Sequence, residues 1–396
     1  MKFKCISFLL LLLIFLNVPD AFCQNSRAEE IDQKKAEKAK ALKHYVPGKV
    51  ETFVERLSRP RNGVFPVVGS AYSGGGFALG VGYQKLIGDR DFAEIHGLYS
   101  IENYKQLTAT AAFAQSPIGL YRTDLLLKYV DAGHVSYFGI GNDTTEEDKT
   151  NYGFSPVQFR ATETLHPARY IYAGGSIEYL HINTGAGDRS NPPPIEQVYN
   201  PVTAPGIGTD PEYVIGGVFA AFDWRQSPGY TTSGGYYRAD WYNYHGTNND
   251  APTDFRRVDV EASQYIPVLR GNQVIALRAL ASFTDTNADE EIPFFLLPRL
   301  GGGEELRGFR SQRFRDRNRL LLTAEYRWTP SKFLDMAIFY EAGKVAAKAG
   351  DLDFNDLHHC WGIGARFHAP AATILRIELA HSNESTRIIF GTGLLF

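Results

Sequence analysis

Between Phe294 and Arg319 the chain reads Phe-Phe-Leu-Leu-Pro-Arg-Leu-Gly-Gly-Gly-Glu-Glu-Leu-Arg-Gly-Phe-Arg-Ser-Gln-Arg-Phe-Arg-Asp-Arg-Asn-Arg. Three consecutive glycines, Gly301, Gly302 and Gly303, lead into Leu306-Arg307-Gly308-Phe309, and arginines then recur at Arg310, Arg313, Arg315, Arg317 and Arg319. Guanidinium groups at this density have two uses. They bind an external anion, or they make charge-assisted, often bidentate, hydrogen bonds to carboxylates of the same chain. The second use is preferred here, with Asp240, Asp259, Glu261 and Glu378 as candidate acids.

Other reactive residue types are sparse. Asp351, Asp353, Asn355 and Asp356 with His358 and His359 have part of the spacing of a calcium loop, but lack its glycine and closing glutamate. A solvated loop is the simpler reading. His381-Ser382-Asn383 places a base beside a nucleophile, but neighbours on a tight turn do not readily bring the ring onto the hydroxyl, and no G-x-S-x-G elbow is present. Neither catalysis, a metal nor a cofactor is expected. Cys360 stands alone once Cys5 and Cys23 are removed with a leader, so neither an intramolecular disulfide nor a thiolate metal cluster is expected.

The leader is legible in the first residues. Lys2 and Lys4 precede an apolar run from Ile6 to Val18, and Ala21-Phe22-Cys23 offers a cleavage site, so residues 1–23 read as a signal peptide. Acylation of Cys23 is the alternative. Residues 24–62 are charged and rich in Ala, Glu and Lys, predicting a short N-terminal helix below domain size. That helix is either a solvated tail or a plug in the mouth of the main domain. The net charge of −3 argues against a nucleic-acid partner, and 26 Phe, 22 Tyr and 38 Gly in 396 residues form a heavy aromatic and glycine load for a soluble enzyme.

The arginine loop needs an enclosure, because irregular backbone at membrane depth is tolerated only inside protein or along a cavity. Residues 63–396 supply one. Segments of about ten residues alternate in character and are separated by turn residues, the pattern of a transmembrane β-barrel. Arg319–Trp328 sends Leu320, Leu322, Ala324, Tyr326 and Trp328 outward, and Arg319, Leu321, Thr323, Glu325 and Arg327 inward. Leu334–Gly343 turns Asp335, Ala337, Phe339 and Glu341 inward, and Cys360–His368 does the same with Gly362, Gly364, Arg366 and His368.

Sixteen candidate strands begin near residues 63, 75, 91, 104, 119, 153, 169, 212, 233, 254, 271, 319, 333, 358, 373 and 385. Their connections alternate between short (Gln115–Ile118, His166–Arg169, Thr329–Ser331, Pro370–Ala372) and long (Asp131–Thr150, Ile182–Pro211, Phe283–Asn318, Lys344–Leu357). Periplasmic turns and extracellular loops differ in this way. The fold class predicted is therefore all-β, a sixteen-stranded antiparallel transmembrane β-barrel. A soluble sandwich or propeller would not need aromatic residues near strand ends, such as Tyr170, Tyr213, Trp241, Trp328 and Trp361. Asn191-Pro192-Pro193-Pro194 predicts a stiff lid or epitope within Ile182–Pro211.

Four features resemble the BamA/TamA/TpsB-like outer-membrane assembly-factor superfamily, the bacterial surface antigens. Gly301-Gly302-Gly303 through Leu306-Arg307-Gly308-Phe309 is similar to its sixth-extracellular-loop motif. Ala324-Glu325-Tyr326-Arg327 resembles its acidic-aromatic-basic segment, and Phe339-Tyr340-Glu341-Ala342-Gly343 its F-x-D-x-G segment, with Glu for Asp. Gly391, Leu394 and Phe396 fit its C-terminal insertion signal.

The resemblance implies a barrel whose sixth loop folds into the lumen, with Arg307 meeting Glu341 and Glu325. It implies the outer membrane of a Gram-negative bacterium, contact with its lipids and lipopolysaccharide, and a role in inserting or transporting proteins or lipids. The chain departs from the family in having only residues 24–62 where POTRA domains are expected, so a separate periplasmic partner supplying them is anticipated. A passive pore is the alternative function.

Overall fold

A computed structural model describes residues 62–396, except 89–90, 115–119, 252, 269–272, 288–289, 332–333, 370–371 and 392–394. The predicted signal peptide and N-terminal helix lie outside the described residues. The chain divides into two units, Met1–Arg56 and Leu57–Phe396, and all that follows concerns the second.

Sixteen antiparallel strands form one sheet in strict sequence order. They are β1 (Gly63–Gly69), β2 (Ala78–Ile87), β3 (Asp91–Ser100), β4 (Lys105–Phe113), β5 (Tyr121–Tyr137), β6 (Thr150–Ala168), β7 (Ile171–Ala186), β8 (Glu212–Asp223), β9 (Gly234–Gly246), β10 (Phe255–Val268), β11 (Gln273–Thr286), β12 (Asn318–Ser331), β13 (Leu334–Ala346), β14 (His358–Ala369), β15 (Ala372–Ser382) and β16 (Thr386–Gly391). Every predicted strand is present, and the start of each falls within three residues of its expected place.

Period-2 patterning explains which face each side chain takes. On β2, Leu79, Val81 and Tyr83 are exposed at 57%, 63% and 48%, while Gln84 is buried. The same inversion, apolar outside and polar inside, holds at Ile338 and Tyr340 against Glu341, and at Trp361 and Ile363 against Arg366. An apolar exterior of this extent needs lipid around it. Of the predicted aromatic residues, Tyr170, Trp241 and Trp361 are exposed. Tyr213 is not: it turns inward and packs edge-on against Tyr244 and Phe255.

Strands β5, β6 and β7 have 17, 19 and 16 residues, where 9–11 suffice to cross a bilayer. Their ends fall within the expected loops Asp131–Thr150 and Ile182–Pro211, but pairing continues through Ala132↔Phe154 and, past a bulge between Ala132 and Val135, to Tyr137↔Thr150. The added length buries its inner face under the loops. Val130, Val135, Tyr137, Tyr152, Phe154 and Ile182 pack with Phe294 and Phe295 of the β11–β12 loop.

The proline-containing β7–β8 loop joins this dome through buried Ile195 and Ala204, and the Phe294 N–H donates to the Pro205 carbonyl at 2.8 Å. At the ends of the sheet, β1 has seven residues and β16 six, the shortest strands of the barrel. Among the described residues no ladder joins them. Pro66 pairs with Val81 on β1, an end strand, where a missing N–H is tolerated.

Candidate functional site

The β11–β12 loop turns into the barrel. A short ribbon, Arg299–Leu300 against Phe314–Arg315, brings its two limbs together, and Gln312 N–H donates to the Gly301 carbonyl at 3.1 Å. Gly301 and Gly302 have φ of 104° and 132°, a region that Cβ-bearing residues avoid, so the glycine run is a steric requirement of this turn. Leu306 takes φ 52° despite its side chain. Leu300, Leu306, Phe309 and Phe314 then form an apolar cluster with Leu280, Leu321, Val345 and Cys360 of the wall.

Arg307 sits at the tip of this cluster and is fully buried. Its backbone N–H donates to Glu341 Oε2 at 2.6 Å and its Nε to Glu341 Oε1 at 3.0 Å. Its Nη1 donates to Glu378 Oε1 at 2.9 Å and lies 3.7 Å from Glu325 Oε2. The guanidinium carbon stands 3.4 Å above the Phe339 ring, a cation–π arrangement. Three carboxylates from β12, β13 and β15 thus converge on one cation, and the inward phase of alternating residues puts each of them there.

Glu325 is itself clasped by Arg327, at 2.9 Å and 3.1 Å, and by Arg366 at 2.7 Å. Arg366 also reaches Glu378 at 3.1 Å. The rest of the tetrapeptide is held as closely. Gly308 donates its N–H to Cys360 Sγ at 3.2 Å, and its carbonyl accepts from the Ser382 and Ser385 hydroxyls, both at 2.9 Å. Arg387 donates to the Phe309 carbonyl. A Cβ on Gly308 would meet Cys360 Cβ at 2.5 Å and Ser382 Cβ at 3.0 Å, so glycine is required by close approach rather than by backbone angle. Gly303 accepts from Arg376 at 3.2 Å.

The remaining loop arginines do not pair with Asp240, Asp259 or Glu261, a correction to the sequence-based expectation. Among the described residues Arg310 pairs with Glu146, Arg313 with Glu384, Arg317 with Glu291 and Arg319 with Glu305, while Arg315 donates to the Phe294 carbonyl and Gln312. Asp240 and Glu261 are engaged by Arg238 and Arg278 on their own stretch of wall. Long loops supply their own acids, and alternation within strands cannot reveal them.

Three other expectations meet the structure here. Ser382 is a donor to the inserted loop, and the Nδ1 of His381 lies 2.8 Å from Thr386 Oγ1. Asp353 takes Lys344 and Asn355, and among the described residues no group of three His, Cys, Asp or Glu is arranged to hold a metal ion. Gly391 ends β16, and Leu394 lies outside the described residues. Phe396 is 8% exposed and packs 6.1 Å from Tyr265 on β10, with Arg327 and Arg278 over its ring at 5.0 Å and 5.4 Å. The last residue therefore lies on the inner face, against β10–β12.

Residues 228–396, from before β9 to the end and including the whole Arg307 cluster, match the Omp85 superfamily domain. That stretch is an Omp85-type domain. Among solved structures the barrel is similar to "BamA from Haemophilus ducreyi lacking POTRA domains 1-3", at 15% identity and a TM-score of 0.61, over 84% of this chain and 70% of that one. It is also similar to CdiB from Escherichia coli, at 15% identity and a TM-score of 0.53, over 85% of this chain and 60% of that one. At these identities the likeness is one of fold. No curated protein matches the chain. The Omp85 domain match and the barrel architecture together imply the outer membrane of a Gram-negative bacterium.

Sequence reasoning named Glu325 and Glu341 as the partners of Arg307 and Glu378 only as one of several acids for the arginine series, and it did not name Cys360, Ser382 and Ser385 as holders of Gly308. The signal for Glu378 was present: it alternates inward on β15 beside Arg376.

Proposed function

We propose that this outer-membrane barrel assists the insertion or transport of proteins or lipids, with the β11–β12 loop latched in the lumen through Arg307. The observation that carries the reading is the convergence of Glu325, Glu341 and Glu378, from three strands of the C-terminal half, on one loop arginine. A cation shared among β12, β13 and β15 couples the loop to the wall that ends at β16. Short β1 and β16 at the ends of the sheet make that edge the place where the wall gives way. Outer-membrane lipids and lipopolysaccharide are the surroundings in which this happens. A separate periplasmic protein is the partner in the reading, and it includes no catalytic step.

The test is reconstitution in liposomes, with an Arg307→Ala control. Accelerated folding of an added client barrel, or phospholipid scrambling, that falls severalfold in the variant supports the proposal. Conductance without either activity identifies a passive pore instead.

A further inference from the structure

The buried cluster holds four arginines, Arg307, Arg327, Arg366 and Arg376, against Glu325, Glu341, Glu378 and Asp335, so the charges balance in number but not in place. Two of the cations face each other. Arg366 and Arg376 stand directly opposite each other on β14 and β15, where like charges repel. They are 1% and 4% exposed, and Nε and Nη1 of both, with Nη1 of neighbouring Arg327, have no hydrogen-bond partner.

The carboxylates facing this pair are already engaged. Glu325 is held by Arg327 and Arg366. Glu378 Oε1 is shared by Arg307 and Arg366, and its Oε2 lies 3.4 Å from Arg376 Nε outside hydrogen-bonding geometry. Asp335, across from Arg366 on β13, accepts from the Tyr230 hydroxyl at 3.2 Å. On β16, the residue opposite Arg376 is Gly391, which brings no side chain. Water would satisfy the free N–H groups but leave the repulsion. A buried charge of this kind is costly unless it is paired.

We propose that a small inorganic anion binds in the lumen between Arg366 and Arg376. It accepts from the N–H groups the glutamates leave free and offsets the repulsion between the two facing guanidinium groups. Because Arg376 also donates to the Gly303 carbonyl, the anion steadies the root of the inserted loop.

Bromide and phosphate are the probes. The full barrel, folded in detergent, is heated at constant ionic strength in sodium gluconate with increasing bromide or phosphate, and the unfolding midpoint is read. A saturable rise of about 3 °C is expected at roughly tenfold above the dissociation constant. Whichever probe produces it reports whether a halide or an oxyanion fits. The rise should vanish in Arg376→Gln. Equal midpoints in all salts, or the same rise in the variant, overturn the proposal. Should the variant not fold, crystals of the native barrel grown with bromide decide: an anomalous peak between the two guanidinium groups supports the site, and its absence refutes it.

Discussion

Arg307 Nη1 lies 2.9 Å from Glu378 Oε1 on β15 and 3.7 Å from Glu325 Oε2 on β12. Glu378 is therefore the direct acceptor, while Glu325 contributes charge at one remove and spends its hydrogen bonds on Arg327 and Arg366. Arg307→Ala leaves two carboxylates short of their cation in a buried setting, and is expected to lower barrel stability by about 3–5 kcal/mol. Thermal unfolding of the detergent-folded barrel measures it. Arg307→Glu with Glu341→Arg should recover part of what either single change loses; no recovery would separate the two residues energetically.

Gly308→Ala should cost about 1–3 kcal/mol, the usual range for overpacking. Its new Cβ collides with Cys360 Cβ, so adding Cys360→Gly should return part of the loss in the same melting experiment. A double variant as unstable as the sum of both would place the collision elsewhere.

Cys360 is buried under the loop, with Gly308 N–H on its sulfur. A maleimide should label it slowly in the folded barrel and at least severalfold faster in Arg307→Ala, where the loop is released. Equal labelling rates would mean that the loop stays in place without its arginine.

The exposed pair Arg310–Glu146 offers a contrast, at 51% and 35% side-chain exposure. Arg310→Ala is expected to cost about 1 kcal/mol or less and to respond to salt. Phe396→Ala should cost about 3 kcal/mol through loss of packing on Tyr265. Parallel melts of the two variants rank a rim contact against an inner-wall contact.

The strands were legible because a closed sheet between lipid and a polar lumen forces one face of each strand to differ from the other. Glu325, Glu341, Arg327 and Arg366 could be assigned inward on that basis alone. What stayed hidden depended on loop coordinates. Glu146, Glu384, Glu291 and Glu305 follow no period, so nothing in the sequence ties them to Arg310, Arg313, Arg317 and Arg319. Strand extensions were missed for a related reason. Above the bilayer, β5–β7 no longer need an apolar outer face, so the signal that marks a strand disappears while its hydrogen bonds continue. The inward turn of Phe396 is not foretold by its place at the chain end, because no pairing pattern reaches that far.

Strand β6, at 19 residues, extends for about 65 Å at the usual rise, and its neighbours are nearly as long. Even tilted, such strands carry several residues clear of the membrane, whereas β1 and β16 have seven and six. The wall at the end that carries the long loops is therefore highest over β5–β7. Its rim is lopsided, with the high side set apart from the edge where β1 and β16 end.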